Sequence, residues 1–267
     1  MCKKEGIFVE NMGKRRILCE DSIEGIFSGV YYVYEKKYEK QSIELKVEGN
    51  NQNYELFTSD EFVPVNMENA VKVARTVQRR FGQEVYYALL RVALAGDKND
   101  KAQAIFGTIQ YGISNNVATD LLNHLKKKEI FRVFQIDRTV KNEANRYIEF
   151  IRFKELVNGV LYSKIAPEND VLPLIAEHFT DRLKNENFVI YDENRKTALV
   201  YQQKKQWEIV RNILVEEEKL QMSECEENIK NLWKIFYESI AIKERCNLEL
   251  QKQLLPLKFR KYMTEFV

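Results

Sequence analysis

Val157-Asn158-Gly159-Val160 decides how the middle of this chain is read. Asn-Gly between two apolar runs is the strongest short-range hairpin signal, because both central residues of the tight turn must accept a positive φ. Residues 146–162 alternate and read as the two strands that meet at this turn. On the C-terminal side, Asn169-Asp170 caps a helix with Pro173 in its first turn, where a missing N–H costs little. That helix carries Val171, Leu174, Ile175, His178, Phe179 and Arg182 on one side. Phe188-Val189-Ile190-Tyr191 and Thr197–Tyr201 flank an Asp192–Lys196 turn as a second hairpin, and Gln206–Arg211 adds a fifth strand. The centre therefore reads ββαβββ, a small antiparallel sheet backed by helices, and the fold class is α+β.

Helices are expected on both sides of this sheet. Arg15–Cys19 reads as a short strand, and Ser22 then caps a helix with Ile23, Ile26, Phe27, Val30, Tyr31 and Tyr34 at helical spacing. Residues 43–65 read as a loop with short extended pieces around Glu55–Thr58. From Asn66, Met67, Ala70, Val71, Ala74, Val77 and Phe81 form one stripe, and Lys72, Arg75 and Arg79 line the opposite side. Gly82 breaks this helix before a second over Val85–Ala95, and further helices are expected over 100–111, 115–127 and 129–145. Near the end, Ile229, Leu232, Trp233, Phe236 and Ile240 form a stripe, and Asn247 caps a short helix before Pro256. The expected organisation is a loose lead-in (1–14), a mainly helical part (15–145), the sheet with its helix (146–212) and C-terminal helices (213–267), folding as one cooperative unit or as two tightly docked lobes.

Composition narrows the function classes. At 267 residues with 45% hydrophobic side chains, including 15 Phe and 14 Tyr, the chain can bury a core and is not disordered over most of its length. Lys and Arg total 42 against 40 Asp and Glu, so the whole molecule is no polybasic wrapper of nucleic acid. Cys2, Cys19, Cys225 and Cys246 are too scattered for a zinc ribbon, an iron–sulfur loop or a disulfide framework. With only His124 and His178 beside them, no metal site is expected, and no nucleotide or redox-cofactor motif is present. No run approaches 18 apolar residues, and no apolar leader follows Met1, so a cytoplasmic protein away from the membrane is expected.

Local charge says more than the total. Lys126 to Lys154 holds nine basic residues against four acidic ones, and Ser239 to Val267 holds six against three. Between them, Ile213 to Asn228 holds six Glu and one Lys. Two basic zones parted by an acidic one give either solvated helix faces or a phosphate-facing side and a partner-facing side. Tyr147, Phe150 and Phe153 interleave with Arg146 and Arg152, which on a sheet face stacks bases beside phosphates and in a core simply packs. His178 is either a buried, hydrogen-bonded core residue or, with Arg182 one turn on, a proton donor and anion clamp lining a cleft. His124, beside three lysines at a helix end, reads as a surface residue.

Three stretches taken together carry a resemblance: Glu20–Phe27; Asn145–Phe153 running on to Asn169–Arg182; and Leu232-Trp233 through Ile240–Asn247 to Leu250-Gln251. The chain resembles a bacterial uncharacterised-domain family of DNA metabolism proteins, over roughly residues 15–265. The resemblance implies a DNA-directed role beside a radical-SAM DNA repair or modification protein; from the absence of any cofactor motif, no cofactor of its own is expected. The expected function is an accessory protein that binds nucleic acid or a damaged nucleotide. Arg146, Arg152, Arg182, Lys154 and Arg245 would hold phosphate, Tyr147 and Phe150 would stack on a base, and the acidic 216–227 stretch would face the partner or solvent. Two alternatives stand beside it. One is a hydrolase or glycosylase-like enzyme using His178 with a carboxylate, and the other is a scaffold without nucleic-acid contact.

Overall fold

The computed structural model describes residues 15–38, 42–49, 58–96, 100–216, 220–240, 242 and 247–266. The expected lead-in, Cys2, Arg245 and Cys246 lie outside the described residues. The chain divides into two compact units, 1–140 and 141–267.

In the first unit, β1 (Arg15–Cys19) lies between β2 (Ile43–Val47) and β3 (Ser59–Val63) and runs parallel to both. Parallel neighbours need a crossover, and α1 (Ile23–Glu35) supplies the one from β1 to β2. Ser22 starts α1 as its sequence suggests, its hydroxyl accepting from the Gly25 amide at 3.0 Å. A side chain at Gly25 would put its Cβ 2.4 Å from the Glu20 carbonyl, so only glycine lets the turn close this tightly. The region expected to be mostly loop thus contributes two strands. Ile43, Leu45 and Val47 alternate inward on β2, a period-two signal over only five residues.

Asn66 caps α2 (Met67–Phe81), accepting from the Asn69 amide, and Gly82 at φ +89° separates it from α3 (Gln83–Ala93). Next come α4 (Lys101–Ser114) and α5 (Lys128–Phe150). Residues 115–127 form turns and a single 3₁₀ turn, Leu121–Asn123, in place of the expected helix. Lys101 is buried, and its ammonium is fully used. It donates to the Ala93 and Ala95 carbonyls at 2.9 and 2.6 Å and meets Asp21 at 2.5 Å. A buried ammonium persists only with such partners, and these carbonyls at the end of α3 need a donor.

The second unit holds the end of α5, β4 (Lys154–Glu155), β5 (Leu161–Ile165), α6 (Leu172–Arg182), β6 (Phe188–Asp192), β7 (Thr197–Tyr201) and β8 (Glu208–Val210). The ββαβββ order and the α+β class hold, with strands in the spatial order β4-β5-β6-β7-β8. Asn158-Gly159 turns the first hairpin, with Gly159 at φ +75°. One ladder departs from the antiparallel expectation: β5 and β6 run parallel because α6 carries the chain back across the sheet between them. The hairpin's first strand is also short, since residues 146–150 finish α5. Ala144, Tyr147 and Ile151 are buried at helical spacing, continuing Val140, and that spacing outweighs the apparent alternation.

Strand alternation splits this sheet into two apolar faces. Leu161, Ile165, Phe188, Ile190, Leu199 and Tyr201 pack with α6 and the end of α5. Tyr162, Tyr191 and Ala198 face the other way, under Leu156, Ile213, Val215 and Leu220. Among the described residues, three helices complete the unit: α7 (Glu224–Ile240), α8 (Leu248–Leu254) and α9 (Leu257–Arg260). Glu224 and Glu226-Glu227 of the acidic stretch fall in the first turn of α7, where negative charge suits the helix dipole. The Ser223 hydroxyl caps that turn by accepting from the Glu226 amide.

Candidate functional site, a basic recess beside β5

Lys154 and Glu155 of β4 pair with Tyr162 and Leu161, so the ladder of β4 with β5 stops before Ser163. A half-open recess of about 240 Å³ forms at this step. Tyr162 and Ser163, both buried, line it, with Lys164 beside them. Arg152 and Lys154 enter from the start of β4. Leu220 and Met222 form a second wall, held in place by the bridge between Leu156 and Met222. Lys230 reaches in from α7, and residues 261–264 close the side after α9.

Five cations line the recess, Arg152, Lys154, Lys164, Lys230 and Lys261, and no Asp or Glu side chain lines it among the described residues. Just outside, Glu193 gathers two of them. Its carboxylate is 2.6 Å from the Lys164 ammonium and 3.1 Å from that of Lys261, and it accepts from the Tyr262 hydroxyl. Burial pushes the Glu193 carboxyl up, but the hydrogen bonds from Lys164, Tyr262 and Lys261 outweigh it and hold the group at about 2. Lys154 and Lys230 form no ion pair among the described residues. The recess is therefore a half-open concavity with surplus positive charge, suited to an anion.

The C-terminal wall is fastened from beneath. Lys258 spans Glu143 at 3.2 Å and Glu168 at 2.9 Å, and Glu143 also accepts from the Asn169 backbone and side-chain amides at 2.8 and 2.7 Å. Burial pulls the Lys258 ammonium down, and the bonds to Glu168 and Glu143 more than restore it, so it stays charged. Phe259 inserts beside Tyr147 and Phe150, with ring centres 5.0 and 5.5 Å apart.

The sequence-derived site residues scatter. Arg152 and Lys154 reach the recess. Arg146 does not: it donates to the Leu254 carbonyl at 2.8 Å, lies 3.5 Å from Glu149 and covers the Phe150 ring. Tyr147 is buried and Phe150 packs on Phe259, so neither offers a free face for stacking. Both belong to α5 and hold the C-terminal segment in place. His178 is exposed on the outer side of α6, edge-on to Phe179 at 5.1 Å, which overturns the buried-histidine reading. Neither His178 nor Arg182, also exposed, lines the recess. The α6 core face is instead Leu172, Ile175, Ala176 and Phe179, which turns positions 178 and 182 outward. The expectation that Arg146, Arg152, His178 and Arg182 share one cleft is therefore corrected.

Lys164, Lys230, Lys261 and Tyr262 were missed because they come from strand, helix and tail segments brought together only by folding. The C-terminal basic zone was the one sequence signal pointing at Lys261. Among the described residues, no three His, Cys, Asp or Glu side chains are grouped to hold a metal ion. No described helix is long and apolar enough to cross a membrane.

A family model described as a domain of unknown function, DUF4130, matches residues 99–265. The chain belongs to the DUF4130 family. No curated protein matches it. Every residue lining the recess falls within the DUF4130 match, as do the Glu193 cluster and the Lys258 anchor.

Proposed function

We propose that this DUF4130 protein binds nucleic acid through its second unit, holding a backbone phosphate in the recess beside β5. The observation that carries the reading is the ring of Arg152, Lys154, Lys164, Lys230 and Lys261 around a concavity that no described carboxylate lines. Arg152, whose Nη1 donates to the Glu149 and Ile151 carbonyls at 3.3 Å, supplies a fixed positive charge, while the lysines act as mobile point charges. The part of β5 beyond its ladder with β4 and the Tyr162 and Tyr262 rings give the anion a shaped, partly apolar seat. The family resemblance extends this to an accessory role in DNA repair or modification, delivering nucleic acid or a damaged nucleotide to a radical-SAM partner. Binding of labelled single- and double-stranded DNA across a salt series tests the reading. Each phosphate neutralised steepens the log–log slope by roughly 0.7 on single strands and 0.9 on duplex. Affinity that does not change with salt removes it.

One observation favours the scaffold reading as a second possibility. Ile229, Leu232, Phe236 and Ile240 of α7 are 52–65% exposed, a continuous apolar stripe at helical spacing. If this stripe docks the partner, Leu232→Lys with Phe236→Lys abolishes the complex and leaves DNA affinity unchanged. The hydrolase reading has no such support. Among the described residues His178 makes no hydrogen bond to a carboxylate.

A further inference from the structure

The first unit carries a second cationic feature, outside the region matched by the family model. On α2, Ala70, Val73, Val77 and Phe81 are buried, and the opposite side presents Lys72, Arg75, Arg79 and Arg80, all exposed. After Glu68 no acidic residue appears in the helix. Lys72, Arg75 and Arg79 lie at i, i+3 and i+7, a straight ridge about 10 Å long at 1.5 Å per residue. None of the three forms an ion pair among the described residues. Lys72 is steadied by Asn69 Oδ1 at 3.3 Å and lies over the Tyr31 ring, while Arg80 donates to Asn116 at 3.2 Å.

We infer that this ridge is a docking surface for the sugar–phosphate backbone of double-stranded nucleic acid, separate from the recess of the second unit. Charge complementarity selects a polyanion, because three adjacent cations without counter-charges meet a phosphate array that carries one charge per about 1.7 Å of duplex axis. Two features favour duplex over the other polyanions. A lipid surface takes up a helix through a broad exposed apolar stripe, and on α2 Ala70, Val73, Val77 and Phe81 are buried in the unit's own core, leaving Met67 and Val71 as its exposed large apolar side chains. A single strand is gripped by freely exposed rings beside the cations, whereas the ring next to Lys72, Tyr31, is half-buried and already covered by that ammonium. The contact is therefore backbone-only and indifferent to base sequence. This goes beyond the recess and does not require the recess to bind.

The test compares three full-length proteins on one 20-base-pair labelled duplex from 50 to 200 mM salt: wild type, the ridge variant Lys72→Gln/Arg75→Gln/Arg79→Gln, and the recess variant Lys154→Gln/Lys230→Gln. The substituted ridge positions are exposed, so the fold is expected to persist, and circular dichroism checks it. Loss of three phosphate contacts lowers the slope by about 2.7, so the ridge variant becomes about 40-fold less salt-sensitive over this range. A ridge variant whose slope stays within about 0.5 of wild type overturns the inference, whatever the recess variant does. Loss in the recess variant alone leaves the phosphate reading of the second unit standing and removes only this one. Vesicles of phosphatidylcholine with 30% phosphatidylserine, and a single strand of the same length, serve as rivals. Ridge-dependent binding stronger to either than to duplex also overturns it.

Discussion

Glu193→Gln is expected to weaken the fold and strengthen anion binding at once. The wild-type carboxylate draws Lys164 and Lys261 toward itself and accepts from Tyr262. A glutamate held at about 2 rather than the ordinary 4.5 contributes at most about 3.4 kcal/mol at pH 7, at 1.36 kcal/mol per pKa unit. Lys261 is 66% exposed, and solvent screening of that partner lowers the expected loss to roughly 1–2 kcal/mol. The sign follows from a folded-state pKa below the unfolded one. The contribution is complete above about pH 4.5 and fades as pH falls toward 2. By pH 3 more than half of it has gone. Urea unfolding of wild type and variant at pH 7 and pH 3 measures this, and the difference between the two proteins should shrink by more than half at the lower pH. The same substitution removes the counter-charge from two recess lysines, so the DNA salt slope should rise by roughly 0.7–0.9 for each lysine that engages phosphate. An equal stability loss at both pH values, or weaker DNA binding by a folded variant, would show that Glu193 does not act as described.

Three further outcomes follow from the packing and exposure. Lys101→Met keeps the apolar stem but strips the donor from the Ala93 and Ala95 carbonyls and from Asp21, and should cost about 3–5 kcal/mol in urea unfolding; a loss below about 1 kcal/mol would contradict that role. Burial, helped by the neighbouring Asp21 charge, pushes the Cys19 thiol up to about 12, so iodoacetamide at pH 8 should spare Cys19 and label exposed Cys225, as read by peptide mapping. His178→Ala, on the outer side of α6, should shift stability by no more than about 0.5 kcal/mol and leave DNA affinity unchanged, and a large change in either would restore a role for this histidine.

Turn chemistry and caps were the most legible part of the chain. Asn158-Gly159, Ser22, Asn66 and Asn247 each mark an element boundary found in the structure, because their signals are local and come from one or two residues. The helix end at Phe150 was harder to see. Tyr147 and Phe150 satisfy an aromatic strand pattern as well as a helical one, and only packing against Phe259 decides between them. Strands β2 and β3 are five residues each, too short for their alternation to stand out beside the polar loop between them. The recess was half visible. Arg152 and Lys154 lie in a basic run that can be counted along the chain, whereas Lys164 and Lys230 join them from elements 10 and 76 residues beyond Lys154. The direction of His178 was set by a one-position shift of the α6 core stripe to Leu172, Ile175, Ala176 and Phe179.

Whether positive charge at the β5 edge holds nucleic-acid phosphate is tested most directly by fluorescence anisotropy of labelled DNA with wild type and Lys154→Gln/Lys230→Gln. These two lysines have no ion pair to lose among the described residues, so the fold should not change. The expected result is a log–log salt slope shallower by about 1.4 on single-stranded DNA and about 1.8 on duplex. Identical slopes for the two proteins would contradict the assignment of this recess to phosphate.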